Sequence, residues 1–162
     1  MRNITAGTLL LGSLLLCATA TGQTINNTDF NVTGEILPGV CRIAVADVDL
    51  GSYQATQFTG AFATPFQPID VVVSQCDPLI SRVNLRFDGA GDGSNVQLFQ
   101  GVQGVGIELQ WRGTGVRIVP GGNIQMATAA GTHGFRARFL QSAPTVAAGK
   151  VTRPMTVSMT YD

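Results

Sequence analysis

Apolar and polar residues alternate along most of the chain beyond residue 30. This is the period of a β-strand with one buried face, because successive side chains point to opposite faces of a sheet. Glycine, aspartate, asparagine and proline interrupt the runs, as turns between short strands do. Because no segment has a helical period, the pattern predicts an all-β, antiparallel, immunoglobulin-like sandwich. The predicted strands lie within residues 40–50, 66–76, 83–87, 96–99, 105–111, 116–119 and 135–139.

Two features modify this simple pattern. The first run changes parity at Val48 and Leu50, which indicates a bulge or a strand that changes sheets. The last run reaches almost to the end of the chain, and an apolar terminal strand needs a neighbouring strand to cover it. Within that run Arg153 occupies an apolar position and Pro154 lacks an N–H, so we expect a local bulge there. The apolar positions of the last run are Val151, Met155, Val157, Met159 and Tyr161.

A second isolated run precedes the first strand of the domain. Residues 23–29 are polar, and the alternating apolar side of the run that follows consists of Phe30, Val32, Gly34 and Ile36. The run fits a first strand of the sandwich itself or a strand that pairs elsewhere. Gly34 favours the second interpretation, because a glycine inside a strand often marks the close approach of another backbone.

The first twenty residues have the features of a secretory signal. Arg2 supplies the positive start, residues 9–16 form a short apolar core, and Ala18-Thr19-Ala20 is a small-x-small cleavage site. Cleavage after Gly22 fits as well. The apolar run is shorter than the roughly 20 residues of a membrane-spanning helix, so the sequence predicts an exported protein of one domain.

Export decides how the cysteines are interpreted. Cleavage leaves Cys41 and Cys76, and a lone pair in an exported protein is expected to form a disulfide. The bridge would stabilise the fold by roughly 3–4 kcal/mol in the chain-entropy model. A metal site needs more ligands, and His133 is the only histidine.

Charge and side-chain chemistry exclude several function classes. Charged residues make up 12% of the chain and the acids balance the bases, which argues against nucleic-acid binding. Asp88 and Asp92 lie in a glycine-rich loop without the ligand spacing of a calcium-binding hand, so we expect turn-forming roles. No sequence motif places a nucleophilic side chain beside His133. We therefore expect no enzyme, no cofactor and no metal.

Three motifs together resemble chaperone–usher fimbrial subunits of the type 1-like pilin family. The segment from Phe30 to Cys41 resembles their N-terminal extension, and Cys76 their second cysteine. Gly134-Phe-Arg-Ala-Arg-Phe-Leu140 resembles a late strand of these pilins. The end of the chain also fits, because Tyr161 is penultimate and Gly149 is fourteenth from the end.

The resemblance implies an incomplete immunoglobulin-like antiparallel β-sandwich that lacks its last strand and is completed by a donor strand from another subunit. It implies a signal peptide at 1–20, a donor-strand extension at 21–39 and a pilin domain at 40–162. The implied donor residues are Phe30, Val32, Gly34 and Ile36. The implied acceptor groove, which also binds the chaperone, contains Gly149, Val151, Met155, Val157, Met159 and Tyr161.

The partners implied in this way are neighbouring pilin subunits, a periplasmic chaperone and an outer-membrane usher. The product would be an adhesive fimbrium on the bacterial surface. A minor tip adaptor or adhesin, or a subunit that terminates the rod, fits the same sequence features. A secreted enzyme on a β-sandwich is disfavoured by the missing acid–base or metal constellation.

Overall fold

A computed structural model describes residues 31–35 and 39–161. The predicted signal peptide, Phe30 and Ile36 lie outside the described residues. Residues 31–35 have no regular secondary structure and are exposed. Residues 39–161 form nine strands and one short 3-10 turn at Ala55–Gln57. The strands are β1 Arg42–Val45, β2 Gln67–Ser74, β3 Val83–Asp88, β4 Phe99–Val102, β5 Val105–Trp111, β6 Arg117–Ile118, β7 Gly122–Met126, β8 Gly131–Gln141 and β9 Thr156–Tyr161.

The strands form two antiparallel sheets, which confirms the predicted all-β class. The larger sheet has the order β1-β2-β8-β5-β4. Strand β6 pairs with β5 on the same edge as β4. The smaller sheet has the order β7-β3-β9. The inward residues of both sheets build one core, in which the Phe87 and Phe135 rings meet edge to face at 4.8 Å.

Most strands follow the alternation in the sequence, but three expected strands are shorter than predicted and one strand was missed. The strand expected at 40–50 ends at Val45, and residues 46–50 belong to no strand, so the parity change at Val48 and Leu50 marks neither a bulge nor a strand that changes sheets. The strand expected at 96–99 begins only at Phe99, because the preceding residues form a turn in which Leu98 N–H donates to the Asn95 carbonyl. The strand β7 was not predicted, and it pairs with β3. The terminal strand begins at Thr156 instead of near Val151. Residues 151–155 belong to no strand, so the expected bulge within a strand is absent, and Pro154 has no N–H to donate to a ladder.

The predicted disulfide between Cys41 and Cys76 is present. It lies where β1 and β2 form an antiparallel pair that begins with Arg42 opposite Ser74. The bridge therefore joins the start of the domain to the end of the second strand.

The outer face of the larger sheet carries one buried carboxylate. The Glu108 side chain is 1% exposed and accepts hydrogen bonds from Arg138 Nε at 2.6 Å and Arg117 Nε at 2.8 Å. Burial raises the pKa of Glu108, but the hydrogen bonds from Arg138, Arg117 and Gln110 outweigh it and hold the pKa below its usual range. Arg136 and Arg138 also lie over the Phe66 ring. This network connects β5, β6 and β8 on the side opposite the core.

Candidate subunit-binding groove

Strand β9 is paired along one edge only among the described residues. Its partner is β3, with Val157 opposite Phe87, Met159 opposite Leu85 and Tyr161 opposite Val83. The side chains of Val157, Met159 and Tyr161 pack against the core but remain half-buried. The other edge of β9 therefore leaves backbone donors and acceptors without a strand partner.

An open groove of about 890 Å³ extends along the chain that leads into β9. One wall is formed by residues 146–155 and the other by residues 47–53, which follow β1. The floor is apolar and comes from the inner face of the larger sheet. The floor residues are Ile69 of β2, Val105 and Ile107 of β5, and Ala137 and Phe139 of β8.

The structure places the predicted acceptor residues in two groups. Gly149, Val151 and Met155 line the groove. Val157, Met159 and Tyr161 continue the same side of the chain along β9 but do not line this cavity. Only the second group belongs to a strand.

Arg153 is exposed, which accounts for its position among apolar residues. It lies on the wall of the groove, and its Nη2 lies 3.5 Å from the Gly101 carbonyl. Lys150 lies on the same wall, while Asp47 and Asp49 lie on the opposite wall. The charged rim is therefore balanced, with two basic and two acidic side chains.

The segment before β9 is tied to the hairpin between β4 and β5. The Gly104 carbonyl accepts hydrogen bonds from the backbone N–H groups of Ser142 and Ala143, and Ala147 N–H donates to the Gln103 carbonyl. A Cβ on Gly104 would lie 2.0 Å from the Thr145 carbonyl oxygen, and its φ of +80° favours glycine. This anchoring holds the groove wall in place without a strand.

The second wall and the floor were not identified from the sequence. The parity change at Val48 and Leu50 could have pointed to this wall, because these residues follow the end of β1 and line the groove. The floor residues alternate like any other core residues. Only the fold shows that they border the groove, where Val105, Ile107 and Ala137 are buried and Ile69 and Phe139 are half-buried.

Of the predicted donor residues, the structure describes Val32 and Gly34. Both are exposed and belong to no strand. Among the described residues there is no helix long and apolar enough to cross a membrane. The same part of the chain holds no cluster of three potential metal ligands from histidine, cysteine, aspartate or glutamate.

Comparison with known sequences identifies the family. The profile of the family described as "Fimbrial protein" matches residues 30–162. The chain belongs to the fimbrial protein family. This family is a structural one and not a class of enzymes.

A curated relative supports the assignment. The chain is 31% identical over 121 residues to the S-fimbrial protein subunit SfaG of Escherichia coli O6:K15:H31 (strain 536 / UPEC). The alignment covers 67% of this chain and 66% of that protein, just under two thirds of the relative's length.

Solved structures show the same fold at low identity. The P pilus rod subunit PapA superposes with a TM-score of 0.65 at 15% identity, covering 83% of this chain and 99% of that one. A chain from the structure of a chaperone–usher pilus reaches 0.61 at 17% identity, covering 90% and 100%. The CupB6 tip adhesin from Pseudomonas aeruginosa reaches 0.61 at 18% identity, covering 76% of this chain and 38% of the adhesin. The fold is that of chaperone–usher pilus subunits.

Proposed function

We propose that this fimbrial protein is a structural subunit whose copies join by donor-strand exchange. In this assembly, residues 30–36 of one copy bind in the groove of the next copy, beside β9. The observation that carries the proposal is the edge of β9, which has no strand partner within residues 31–35 and 39–161 and which follows directly on a groove with an apolar floor. An added strand would bind its backbone to that edge and place alternate side chains on the floor.

The dimensions and chemistry of the extension fit this role. Strand β9 has six residues and is about 20 Å long, and residues 30–36 span about 23 Å when extended. Phe30, Val32 and Ile36 supply apolar side chains on one face. Gly34 lies among them, and we infer that it passes a constriction that admits no side chain.

The proposal includes delivery to the cell surface. After export, a periplasmic chaperone covers the open edge with a strand of its own, because an exposed apolar edge promotes aggregation. At an outer-membrane usher the extension of the next subunit then replaces that strand. The fimbrium on the bacterial surface is the product.

A free peptide of residues 24–37 tests whether the groove accepts this strand. A ligand that binds only the folded state raises the melting temperature by mass action. We expect the peptide to raise the melting temperature of the mature chain strongly, and the same peptide with Gly34→Leu to have little effect. Melting that is unchanged by the unmodified peptide would contradict the proposal.

The Gly34→Leu variant of the whole chain tests assembly in cells. We expect normal amounts of chaperone-bound subunit but no fibres, since the extension contributes to the core of the neighbour and not to its own. The matched control is Thr33→Leu, which adds a similar side chain on the other face of the extension. Loss of the chaperone-bound subunit would instead show that residues 30–36 form an internal strand.

A further inference from the structure

The root of the extension is fixed to the turn that follows β2. The Asp77 carboxylate accepts a hydrogen bond from Gly39 N–H at 3.1 Å and another from Leu79 N–H at 2.9 Å. A Cβ on Gly39 would lie 2.7 Å from Asp77 Cβ, so only glycine allows this approach. The turn itself is anchored by Ile80, which is buried in the core. The position of Gly39, where the extension joins the domain, is therefore fixed by the turn after β2.

Two large apolar side chains flank this contact and are exposed. Leu79 is 84% exposed and Val40 is 64% exposed. Val40 follows Gly39, and Gly39 and Leu79 bind the same carboxylate, so the two residues form one local surface, here called the exit patch. Single exposed apolar residues are common on protein surfaces. The exit patch differs because it surrounds the point where the extension leaves the domain.

Chain length fixes what the exit patch faces in a fibre. Ile36 and Val40 are four residues apart, so an extended chain places them at most about 14 Å apart. If Ile36 lies in the groove of a neighbour, the body of that neighbour lies within this distance of Val40. A domain of this size has a radius of gyration of about 14 Å. In the proposed assembly, the body of the neighbour is therefore within reach of Val40 and of the face that carries it.

We propose that the exit patch, Val40 and Leu79, docks on the body of the second copy that holds the extension in its groove. This inference rests on the proposed strand exchange and adds a second contact at the same junction. The contact would bury apolar surface that the strand itself does not cover. It would also restrict the angle between successive subunits, because it adds a second contact beside the point where the extension joins the domain.

Photo-crosslinking in assembled fibres tests the contact directly. A photoreactive amino acid in place of Leu79 should give covalent dimers, with the link in the body of the neighbouring copy. The matched control replaces Val96, which is 78% exposed but lies just before β4, at the edge of the larger sheet opposite β1. Dimer yield from position 79 above that from position 96 supports the proposal. An equal or lower yield overturns it.

Dissociation of fibres separates this inference from strand exchange. The peptide of residues 24–37 lacks the exit patch, so Leu79→Asp should leave the peptide-induced rise in melting temperature unchanged. The same variant should make fibres dissociate in denaturant about tenfold faster, the effect expected for exposing one leucine. Leu79→Ser should give a smaller acceleration in the same direction.

The outcomes separate the two ideas. If the peptide leaves the melting of the unmodified chain unchanged, strand exchange is wrong. If the peptide acts normally and fibres of Leu79→Asp and Leu79→Ser dissociate at the original rate, only the docking of the exit patch is wrong.

Discussion

Strands β5 and β9 have the same alternation of apolar and polar residues but different surroundings. Strand β5 (Val105–Trp111) is paired on both edges, with β8 on one and with β4 and β6 on the other, and its Ile107 and Leu109 are buried. Strand β9 (Thr156–Tyr161) has β3 on one edge only within the described part of the chain, and its apolar side chains stay half-buried. The comparison shows that alternation reports which face of a strand is apolar. It does not report whether the strand that pairs with the other edge belongs to the same chain.

The largest effect on stability is expected on the paired strand. Leu109→Ala should lower the free energy of unfolding by about 3 kcal/mol, because it removes a buried side chain and leaves a cavity. Urea unfolding of the mature chain with Gly34→Leu, which we expect to stay unpolymerised, measures it. Leu79→Ala is the matched control and should change stability by less than about 0.5 kcal/mol. An equal loss of unfolding free energy for Leu109→Ala and Leu79→Ala would contradict the burial of Leu109 in the paired strand β5.

A smaller loss is expected for Glu108→Gln on the outer face of β5. Removing one partner of a buried ion pair costs roughly 3–5 kcal/mol, and we expect about 2 kcal/mol because Arg117 and Arg138 are partly exposed. The pKa of Glu108 is lowered in the folded state, so its stabilisation is complete above the unfolded pKa and is lost as the pH falls through the folded pKa.

The pH dependence of unfolding checks this sign. The difference in stability between the unmodified chain and Glu108→Gln should be constant from about pH 5 to 7 and shrink below about pH 4. Asp47→Asn, at an exposed carboxylate, is the control. A difference that grows on acidification would contradict the assigned role of Glu108.

The sequence predicted the paired region better than the unpaired one. Strand β5 has the limits expected from its alternation, because both of its edges are paired within this chain and its inward residues are buried. Strand β7 was missed because Gly122 and Asn123 have low strand propensity, and its pairing with β3 decides its conformation. The groove was predicted only along the run from Gly149 to Tyr161. Its floor and its second wall depend on long-range contacts that a local pattern does not contain.

The smallest effect is expected on β9 in the unpolymerised chain. Met159→Ala should cost about 1 kcal/mol there, because the side chain is only half-buried. With the peptide of residues 24–37 bound, the loss should increase, since the added strand covers the methionine. Melting curves with and without the peptide measure both values, and Thr160→Ala on the exposed face is the control. A loss that the peptide does not change would place Met159 away from the bound strand.

Amide hydrogen exchange tests the open edge of β9 most directly. In the unpolymerised mature chain with Gly34→Leu, the β9 amides that do not bind β3 should exchange fast, while those of β5 are protected. Adding the peptide of residues 24–37 should slow exchange at these β9 amides by about 100-fold or more and leave β5 nearly unchanged. Protection of these β9 amides equal to that of β5 before the peptide is added, or exchange that the peptide does not slow, would contradict the account.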